Sequence, residues 1–348
     1  MVDKRELQPS KVDLLILNNC PAFYKVNLYN EIAKHRNIFV IFSGYSDQVI
    51  EADKSHIHFN YIILNNSQVE KRNRFKDFIK IFKLYKDFKP VKVIYGGYIM
   101  LEYILLAFLL PSSRNVLQTE SGLETKLTGA RFFIKKVILA RFSIALASGI
   151  IHKDMLLKMG FRGIVKITKG VGIIDKRKSE FQRTKNSIPK FLYVGRLIDQ
   201  KNLQKLIKIF NTNGHLLYII GTGKLDKDLR KNALSNIKFL GYIPNNLLDK
   251  YYKECDVFIL PSLSEPLGLV TEEALFHGCV LVLSKNVGAA PELLTELGTG
   301  VLFDPNEEIS IRQAIENVVK DLSIYRENVM KFNINEKDRI QVQQYINL

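Results

Sequence analysis

The sequence predicts an α/β protein made of two doubly wound domains, each a parallel sheet with helices on both faces. Short apolar runs rich in β-branched and aromatic residues alternate with longer stretches of helical periodicity. Most of these runs are apolar at successive positions, which is typical of parallel strands buried on both faces. The alternation occurs in two series, and 348 residues are more than one core usually contains.

The strand candidates divide the chain into its predicted domains. The first series comprises 13–18, 38–44, 92–97, 115–119 and 143–148, and the second comprises 190–195, 215–221, 237–241, 256–262, 279–284 and 300–304. The segment between the two series, 173–189, is charged, weakly periodic and ends in Pro189, as linkers often do. We therefore expect a first domain over 1–172, a second over 190–324, and a C-terminal helix in 325–348 that packs back across the junction.

The composition excludes several classes of protein. Hydrophobic residues make up 47% of the chain and charged residues 25%, as in ordinary folded proteins. The three cysteines are far apart, odd in number and without zinc spacing, which favours a reducing compartment over a disulfide framework. The polar N-terminus has no secretory signal, and the apolar run 98–110 is too short to span a bilayer, so it is predicted as a buried helix. We expect a cytoplasmic protein without a transmembrane segment.

The net charge of +16 is unevenly distributed along the chain. Residues 1–188 contain 32 Lys and Arg against 16 Asp and Glu, whereas residues 189–348 contain 19 of each kind. The whole excess therefore lies in the first half. This asymmetry predicts a polyanionic partner, either nucleic acid or an anionic membrane, with a generally basic solvated surface as the alternative.

One segment of the first half has a possible membrane function. Residues 71–89 contain 8 basic and 2 acidic side chains. Five apolar or aromatic residues fall on one helical face: Phe75, Phe78, Ile79, Phe82 and Tyr85. A basic helix with such a face suits the interface of an anionic bilayer. A surface helix that packs the same face into the core is equally compatible with the pattern.

In the second half, charged residues and glycines follow the predicted strands, where doubly wound sheets bind ligands. Gly195 allows a sharp turn, after which Arg196 and Lys201 can reach one anion, and a diphosphate suits two cations. Gly221 lies in a Gly-Thr-Gly turn where a ligand can approach the backbone, although a plain turn is at least as compatible. The acidic pair Asp226 and Asp228 falls in the first turn of a helix, which favours a structural role over metal binding.

Two further segments complete this candidate site. The strand 237–241 ends at Gly241, and the loop through Ile243 is a candidate for a base pocket made by backbone groups. In 261–275, Glu265 precedes a helix expected to begin near 267–268, whose free N–H groups suit phosphate. Glu273 lies inside that helix, and we expect Glu272 beside it to be solvated. Two carboxylates near an anion site suit a ligand that is half polyol and half phosphate, namely a nucleotide sugar.

Together these residues resemble the retaining glycosyltransferases of the GT-B fold, in family 4. The Glu-x(7)-Glu motif of that family is matched by Glu265 and Glu273, and its phosphate-binding Arg and Lys by Arg196 and Lys201 in VGRLIDQKN. The segments IIGTGKLDKDL, KFLGYIP and GAAPELL are also similar to family segments. The resemblance covers most of 190–305 and implies two Rossmann-like domains that face a central cleft.

The resemblance also implies roles for individual residues. Arg196 and Lys201 hold the donor diphosphate, Glu273 binds the ribose hydroxyls, and Glu265 binds the transferred sugar. Glu265, Arg196 and Lys201 are accordingly the predicted catalytic residues. The remaining donor-binding positions are Gly195, Gly221, Gly241, Ile243, Leu267, Gly268, Leu269 and Val270, the last four through backbone amides. The family generally needs no divalent metal, so neither a metal nor another cofactor is expected.

The first half matches the family less closely. Its loop after the first strand lacks glycine and resembles a subgroup with a Pro-x-Tyr-Arg/Lys pattern, so Tyr24 and Lys25 are candidates for contacting the donor or the acceptor. Many members have a His after a central strand of this domain, where Glu120 stands near the corresponding position. None of the six histidines is a persuasive catalytic candidate: His35, His56, His58, His152, His215 and His277.

These observations predict a retaining glycosyltransferase that moves a sugar from a nucleotide diphosphate donor, expected to be a UDP-sugar, to a glycan acceptor. The acceptor is expected to be lipid-linked, in cell-surface polysaccharide or glycolipid synthesis, with the basic half on the anionic inner face of the plasma membrane. A nucleotide-sugar epimerase or hydrolase of the same fold is the nearer alternative. A nucleic-acid-binding protein is the more distant one, because the chain contains no known binding motif and no nucleic-acid partner is expected.

Overall fold

The computed structural model describes residues 11–46, 51–120, 129–176 and 188–348. Within these ranges the first half forms a seven-stranded parallel sheet in the order β3-β2-β1-β4-β5-β6-β7. Its strands are β1 (Leu14–Asn18), β2 (Ile38–Phe42), β3 (Asn60–Ile63), β4 (Lys92–Gly96), β5 (Asn115–Thr119), β6 (Ile144–Ala147) and β7 (Ile164–Ile167). Its helices are α1 (Phe23–Ala33), α2 (Arg74–Phe88), α3 (Leu101–Leu109), α4 (Ala130–Leu139) and α5 (Ile150–Lys158).

The second half forms a six-stranded parallel sheet in the order β10-β9-β8-β11-β12-β13, which is the doubly wound order 3-2-1-4-5-6. Its strands are β8 (Phe191–Val194), β9 (Leu217–Ile220), β10 (Ile237–Gly241), β11 (Val257–Leu260), β12 (Val280–Ser284) and β13 (Gly300–Phe303). Its helices are α6 (Leu203–Asn213), α7 (Asp226–Lys231), α8 (Asp249–Glu254), α9 (Leu269–Phe276), α10 (Glu308–Lys320), α11 (Leu322–Met330) and α12 (Ile334–Ile346). The prediction of two doubly wound domains is confirmed.

Every predicted strand is present, but the sequence did not indicate β3 and β7. Both lie at the edges of the first sheet, and their residues are half-buried or exposed, unlike those of the central strands. An edge strand packs against fewer neighbours and carries polar residues such as Asn60 and Lys166. Its apolar run is therefore too short and too mixed to stand out in the sequence.

The central strands are buried on both faces, as their continuous apolar runs predict. In β1, Leu15 and Leu17 belong to the hydrophobic cluster on one face of the sheet, whereas Leu14 and Ile16 belong to the cluster on the other. Successive strand residues point to opposite faces, so both layers of helices are held by the same strand. At the carboxyl ends of the strands this packing leaves the loops to build a site.

The C-terminal segment consists of two helices, α11 and α12, and α12 contacts both halves of the molecule. Tyr345 is fully buried in a cluster of the first sheet, and Arg36 donates to the carbonyl of Ile346. At the other end of α12, Lys337 forms a buried ion pair with Glu272 of α9. Glu272 is only 2% exposed, so the prediction that it is solvated was wrong, because α12 covers it.

The predicted domain limits stay a prediction. The expected linker 173–189 lies partly outside the described residues, since 177–187 are not described. At its start, Ile173 and Ile174 are buried, and the amide of Ile173 donates to the carbonyl of Tyr24 at 2.9 Å. The beginning of the linker is therefore packed onto the first helix of the first domain.

The apolar run 98–110 is not the buried helix that the sequence predicted. It forms α3, which begins at Leu101 and buries Tyr103, Leu106 and Ala107 on one face only. The opposite face is exposed, with Leu109 at 58%. In the described ranges, no helix combines the length and apolar character needed to cross a membrane.

Helix α2, which contains most of the basic segment 71–89, divides its apolar face between core and solvent. Phe78, Phe82 and Tyr85 are half-buried against the core of the first sheet. Phe75 and Ile79 are exposed. Core packing therefore accounts for three of the five residues that suggested a membrane surface.

Candidate active site

Two loops of the second sheet bring Lys201 and Glu265 into direct contact. Lys201 lies in a short 3-10 turn after β8, and Glu265 lies in the loop between β11 and α9. The ammonium group forms an ion pair with the carboxylate, and both side chains are mostly buried, at 13% and 15% exposure. The amide of Leu263 donates to the carbonyl of Gln200 at 2.8 Å, which fastens one loop to the other. The expected convergence of these two residues is present in the structure.

Arg196 belongs to the same cluster. The hydroxyl of the buried Tyr193 donates to the Arg196 carbonyl at 2.9 Å, whereas the Arg196 residue itself is exposed. Burial raises the pKa of Tyr193 well above its usual value, the nearby Glu265 carboxylate raises it further, and Arg196 opposes the shift. The loop after β8 therefore carries two cations, the exposed Arg196 and the Lys201 that pairs with Glu265.

The glycines at this edge of the sheet have a structural reason. A Cβ at Gly221 would lie 2.0 Å from the Gly195 carbonyl oxygen, and one at Gly223 would lie 2.3 Å from that of Leu197. The Gly221 amide donates to the carbonyl of Gly241 at 2.8 Å. Gly221 also has a φ of +130°, which residues with a side chain rarely adopt. The group that approaches these glycines is therefore the backbone of the neighbouring loop, not a ligand. These backbone contacts stack the loops after β8, β9 and β10 against one another.

Helix α9 begins next to Glu265 and has an open N-terminus. Its N-cap residue is Gly268, with a φ of +86°, and no side chain of the described residues caps it. A Cβ at Gly268 would lie 3.2 Å from Cγ of Glu265. Leu267 is buried behind this turn, while Leu269 and Val270 open the helix half-buried. The first-turn amides and the positive end of the helix dipole suit a phosphate beside the Lys201 and Glu265 pair.

Glu273 faces a separate small cavity of about 40 Å³ lined by Asp175, Asn245, Tyr252 and His277, among others. The Tyr252 hydroxyl donates to its carboxylate at 3.0 Å. Burial raises the pKa of Glu273 to about 7; neighbouring Glu272 adds to the shift, and hydrogen bonds from Tyr252 and Asn245 oppose it. Glu273 thus lies eight positions beyond Glu265, inside α9 rather than in the loop before it, and has its own surroundings. Ile243 is half-buried in the loop that leads to Asn245.

The first sheet has a larger cavity, of about 380 Å³, at the carboxyl ends of β1, β4 and β5. Lys25 is 4% exposed and forms an ion pair with Glu120, and Gln118 donates to the same carboxylate at 2.9 Å. Tyr24 also lines the cavity, where burial raises its pKa. The structure therefore brings together the three residues proposed for this half: Tyr24, Lys25 and Glu120. The sequence did not indicate that Lys25 and Glu120 pair.

The sequence passed over two buried residues between the halves. His152, in the first turn of α5, is 2% exposed and faces Pro266 and Gly288 of the second domain. Glu292, in the π-helical turn Pro291–Glu296, accepts a hydrogen bond from the Ile150 amide. Glu292 lies in the family-like segment GAAPELL, but that resemblance implied no role for it, and His152 lies in no motif. Only the folded structure could reveal their contacts. Among the described residues, no group of three His, Cys, Asp or Glu side chains is arranged to hold a metal ion.

The two doubly wound sheets, with clustered charges at their carboxyl ends, define a protein of the GT-B fold. Residues 175–336 match the family model described as "Glycosyl transferases group 1". The structure is similar to the lipopolysaccharide outer core galactosyltransferase WaaB, with a TM-score of 0.70, 15% identity, and coverage of 96% of this chain and 98% of that one. It is equally similar to Anabaena HepE in complex with UDP and glucose, with a TM-score of 0.70, 16% identity, and coverage of 97% and 100%.

The chain is also similar in sequence to an uncharacterized glycosyltransferase of Methanocaldococcus jannaschii. The two are 29% identical over 201 residues, which are 55% of this chain and 48% of that protein. The chain thus matches about half of the length of this curated relative.

Proposed function

We propose that this protein is a retaining glycosyltransferase of family 4 that moves a sugar from a UDP-sugar to a glycan acceptor. The observation that carries the proposal is the ion pair between Lys201 and Glu265 beside the open N-terminus of α9. A cation, a carboxylate and the N-terminus of a helix in one place suit a ligand in which a phosphate adjoins a polyol. A nucleotide sugar is such a ligand.

When the donor binds, Lys201 and Arg196 face its diphosphate and Glu265 accepts hydrogen bonds from sugar hydroxyls. The bond between the anomeric carbon and the diphosphate oxygen breaks with its electron pair on that oxygen. The two cations and the α9 amides stabilise the developing charge, which is usually the largest contribution to such catalysis. The acceptor oxygen bonds to the anomeric carbon on the same face, and its proton passes to a donor phosphate oxygen. No step requires a metal, so chelation by EDTA leaves transfer unchanged.

The nucleoside part of the donor lies along the stacked loops. Glu273 accepts hydrogen bonds from the ribose hydroxyls, and the cavity beside it has room for hydroxyl groups but not for a whole nucleotide. Backbone groups from Gly241 to Ile243 contact the nucleobase. The choice of UDP is supported by the structural similarity to HepE, which was solved with UDP and glucose.

The acceptor occupies the cavity of the first sheet, whose volume of about 380 Å³ suits a sugar unit. Ile99 lines this cavity and is 81% exposed, so apolar surface begins at the cavity mouth. Exposed apolar residues continue along α3 and α4: Leu101, Leu105, Phe108, Leu109, Phe133, Ile134 and Val137. This surface lies in the half of the chain with the excess positive charge, which suits an anionic membrane. A lipid-linked acceptor in cell-surface polysaccharide or glycolipid synthesis fits both features.

The proposal is tested by incubating the purified protein with a panel of UDP-sugars and lipid-linked glycan extracts, with thermal stabilisation as the binding readout. We expect stabilisation by one UDP-sugar, transfer only when an acceptor is present, and retention of the anomeric configuration in the product. Release of free sugar or of an epimer without acceptor would identify the hydrolase or epimerase alternative. Salt-sensitive binding of random DNA, with no UDP-sugar bound, would identify a nucleic-acid-binding protein.

A further inference from the structure

The first turn of α5, in the first domain, contacts the second domain through its helix terminus. Its N-cap residue is Gly149, which has no side chain to accept a hydrogen bond. The Ile150 amide instead donates to the carboxylate of Glu292, and a Cβ at Gly149 would lie only 2.6 Å from Oε1 of Glu292. Glu292 is 8% exposed. A carboxylate from one domain therefore caps a helix of the other, and its negative charge interacts favourably with the positive end of the helix dipole.

The same turn contacts the second domain at another point, through His152. A Cβ at Gly288 would lie 1.8 Å from the Pro266 carbonyl oxygen and 2.8 Å from Cε1 of His152. The imidazole and the Pro266 carbonyl therefore both lie against the backbone of Gly288. Any side chain at position 288 would collide with them. His152 is 2% exposed, so this contact is closely packed.

Both contacts reach the backbone that carries Glu265. The Glu265 amide donates to the Asn286 carbonyl at 3.1 Å, and the Gly288 amide donates to the Glu265 carbonyl at 3.0 Å. The Ala289 amide donates to the Leu267 carbonyl at 3.1 Å. The loop 263–268 and the segment 286–289 thus form one unit, and that segment continues into the turn with Glu292. A shift of α5 relative to this unit would move Glu265.

We propose that Glu292 and His152 are positioning residues, which hold the loop 263–268 against α5 so that Glu265 meets the sugar of the donor when the two domains are docked. This inference rests on the proposed function, in which Glu265 binds the transferred sugar. Because neither residue contacts the donor, their effect is confined to the part of the ligand that Glu265 recognises. They should affect affinity for the sugar moiety and leave affinity for the nucleotide unchanged.

The turn 291–296 offers a matched control. Glu296 lies one turn after Glu292 and also pairs with the first domain, through Lys169 at 3.0 Å. Both side chains of that pair are about 40% exposed, and exposed ion pairs contribute little. Glu296→Ala therefore removes an interdomain contact from the same turn without touching the loop 263–268.

The test compares the affinities of UDP and of the UDP-sugar that the wild type binds most tightly, by calorimetry on the full chain. We expect Glu292→Ala to lose about tenfold in affinity for the UDP-sugar, as supporting residues of a site often do, with UDP binding unchanged within about twofold. Glu292→Gln keeps an acceptor for the Ile150 amide and should retain most of the affinity, and Glu296→Ala should match the wild type. In a Glu265→Gln background, Glu292→Ala should add less than about a twofold loss, because both act on one contact.

The outcomes separate the inference from the proposed function. If the wild type binds no UDP-sugar of the panel, the proposed function fails and the inference with it. Two results with a wild type that binds would overturn the inference alone. In the first, Glu292→Ala has the same ratio of UDP-sugar affinity to UDP affinity as the wild type. In the second, Glu292→Ala lowers the UDP-sugar affinity as much in the Glu265→Gln background as it does alone. Should Glu292→Ala unfold, His152→Ala is predicted to show the same selective loss, and equal weakening of UDP and UDP-sugar there would contradict the inference.

Discussion

The two domains have the same kind of fold but build different sites at the carboxyl ends of their strands. In the second domain, the loops after β8, β9 and β10 are stacked through backbone contacts, and Lys201 is locked to Glu265. In the first domain, a cavity of about 380 Å³ includes the exposed Ile99 in its lining. The charges differ as well, since the second half is balanced and the first carries the whole excess of +16.

The difference shows which kind of site depends on particular residues at particular positions. A diphosphate next to a sugar has a fixed shape and charge, so its site needs particular residues at particular turns. An acceptor in an open cavity next to a lipid surface needs volume, polarity and a basic surrounding, which many residue combinations provide. The proposed donor site should therefore be sensitive to single changes, and the proposed acceptor surface should respond gradually.

The largest expected effect comes from breaking the charged pair of the second domain. In the proposed mechanism, Lys201→Ala removes a cation that stabilises the leaving diphosphate and Glu265→Ala removes the acceptor for the sugar, so each should lower the transfer rate about a thousandfold or more. Steady-state kinetics with the preferred UDP-sugar measures the loss. Lys208→Ala is the matched control, because it breaks an exposed ion pair with Glu308 and should leave turnover unchanged. Normal turnover in either site variant with a native circular dichroism spectrum would refute the site.

The stacked loops predict a strong effect on stability. Gly221→Ala would place a Cβ 2.0 Å from a carbonyl oxygen at a φ of +130°, so we expect a loss of about 3 kcal/mol in the free energy of unfolding. Gly241→Ala is the comparison, since its φ is +72° but no atom lies within 4 Å of the new Cβ. It should lose only about 1 kcal/mol. Chemical denaturation measures both values, and equal losses would show that the close approach at Gly221 is tolerated.

The comparison also explains how much the sequence could predict. Each central strand is visible in the sequence as an apolar run. The turns that follow the strands of the second domain need glycines or charged residues at particular positions, and these are visible in the sequence as well. That Lys201 and Glu265 lie in one place could therefore be anticipated, but not their direct ion pair. The edge strands β3 and β7 could not, because half-exposed strands lack a continuous apolar pattern.

Other features depend on contacts between distant segments. Glu272 was expected in solvent because nothing near it in the sequence indicates that Lys337 of α12 covers it. The pairing of Lys25 with Glu120 and the cap that Glu292 gives to α5 likewise join residues far apart in the chain. The helix α3 was predicted to be fully buried, but one face is exposed. A helix that is apolar on all sides does not show in its sequence which faces the rest of the protein covers.

A smaller effect, dependent on pH, distinguishes the two carboxylates of the donor site. Because burial raises the pKa of Glu273 to about 7, its carboxyl group is protonated at lower pH. In the proposed binding mode, it then no longer accepts two hydrogen bonds from ribose. UDP affinity should therefore be constant above about pH 8 and fall by up to tenfold for each pH unit below about pH 7. Glu273→Gln cannot titrate and should remove this dependence. An identical pH profile in that variant would assign the titration to the ligand itself.

The smallest expected effect concerns the surface of the first domain, and it tests which helix takes part in the proposed membrane contact. Leu105 and Phe108 of α3 are about 40% exposed, whereas the exposed Phe75 and Ile79 lie on the basic helix α2. If α3 inserts its apolar face, the double variant Leu105→Glu/Phe108→Glu should bind anionic vesicles about fivefold more weakly. The matched variant Phe75→Glu/Ile79→Glu should bind almost as the wild type does, and neither should lose thermal stability, because all four side chains are partly exposed. Vesicle sedimentation at low and high salt measures the binding, and a greater loss in the α2 variant would return the membrane contact to the basic segment 71–89.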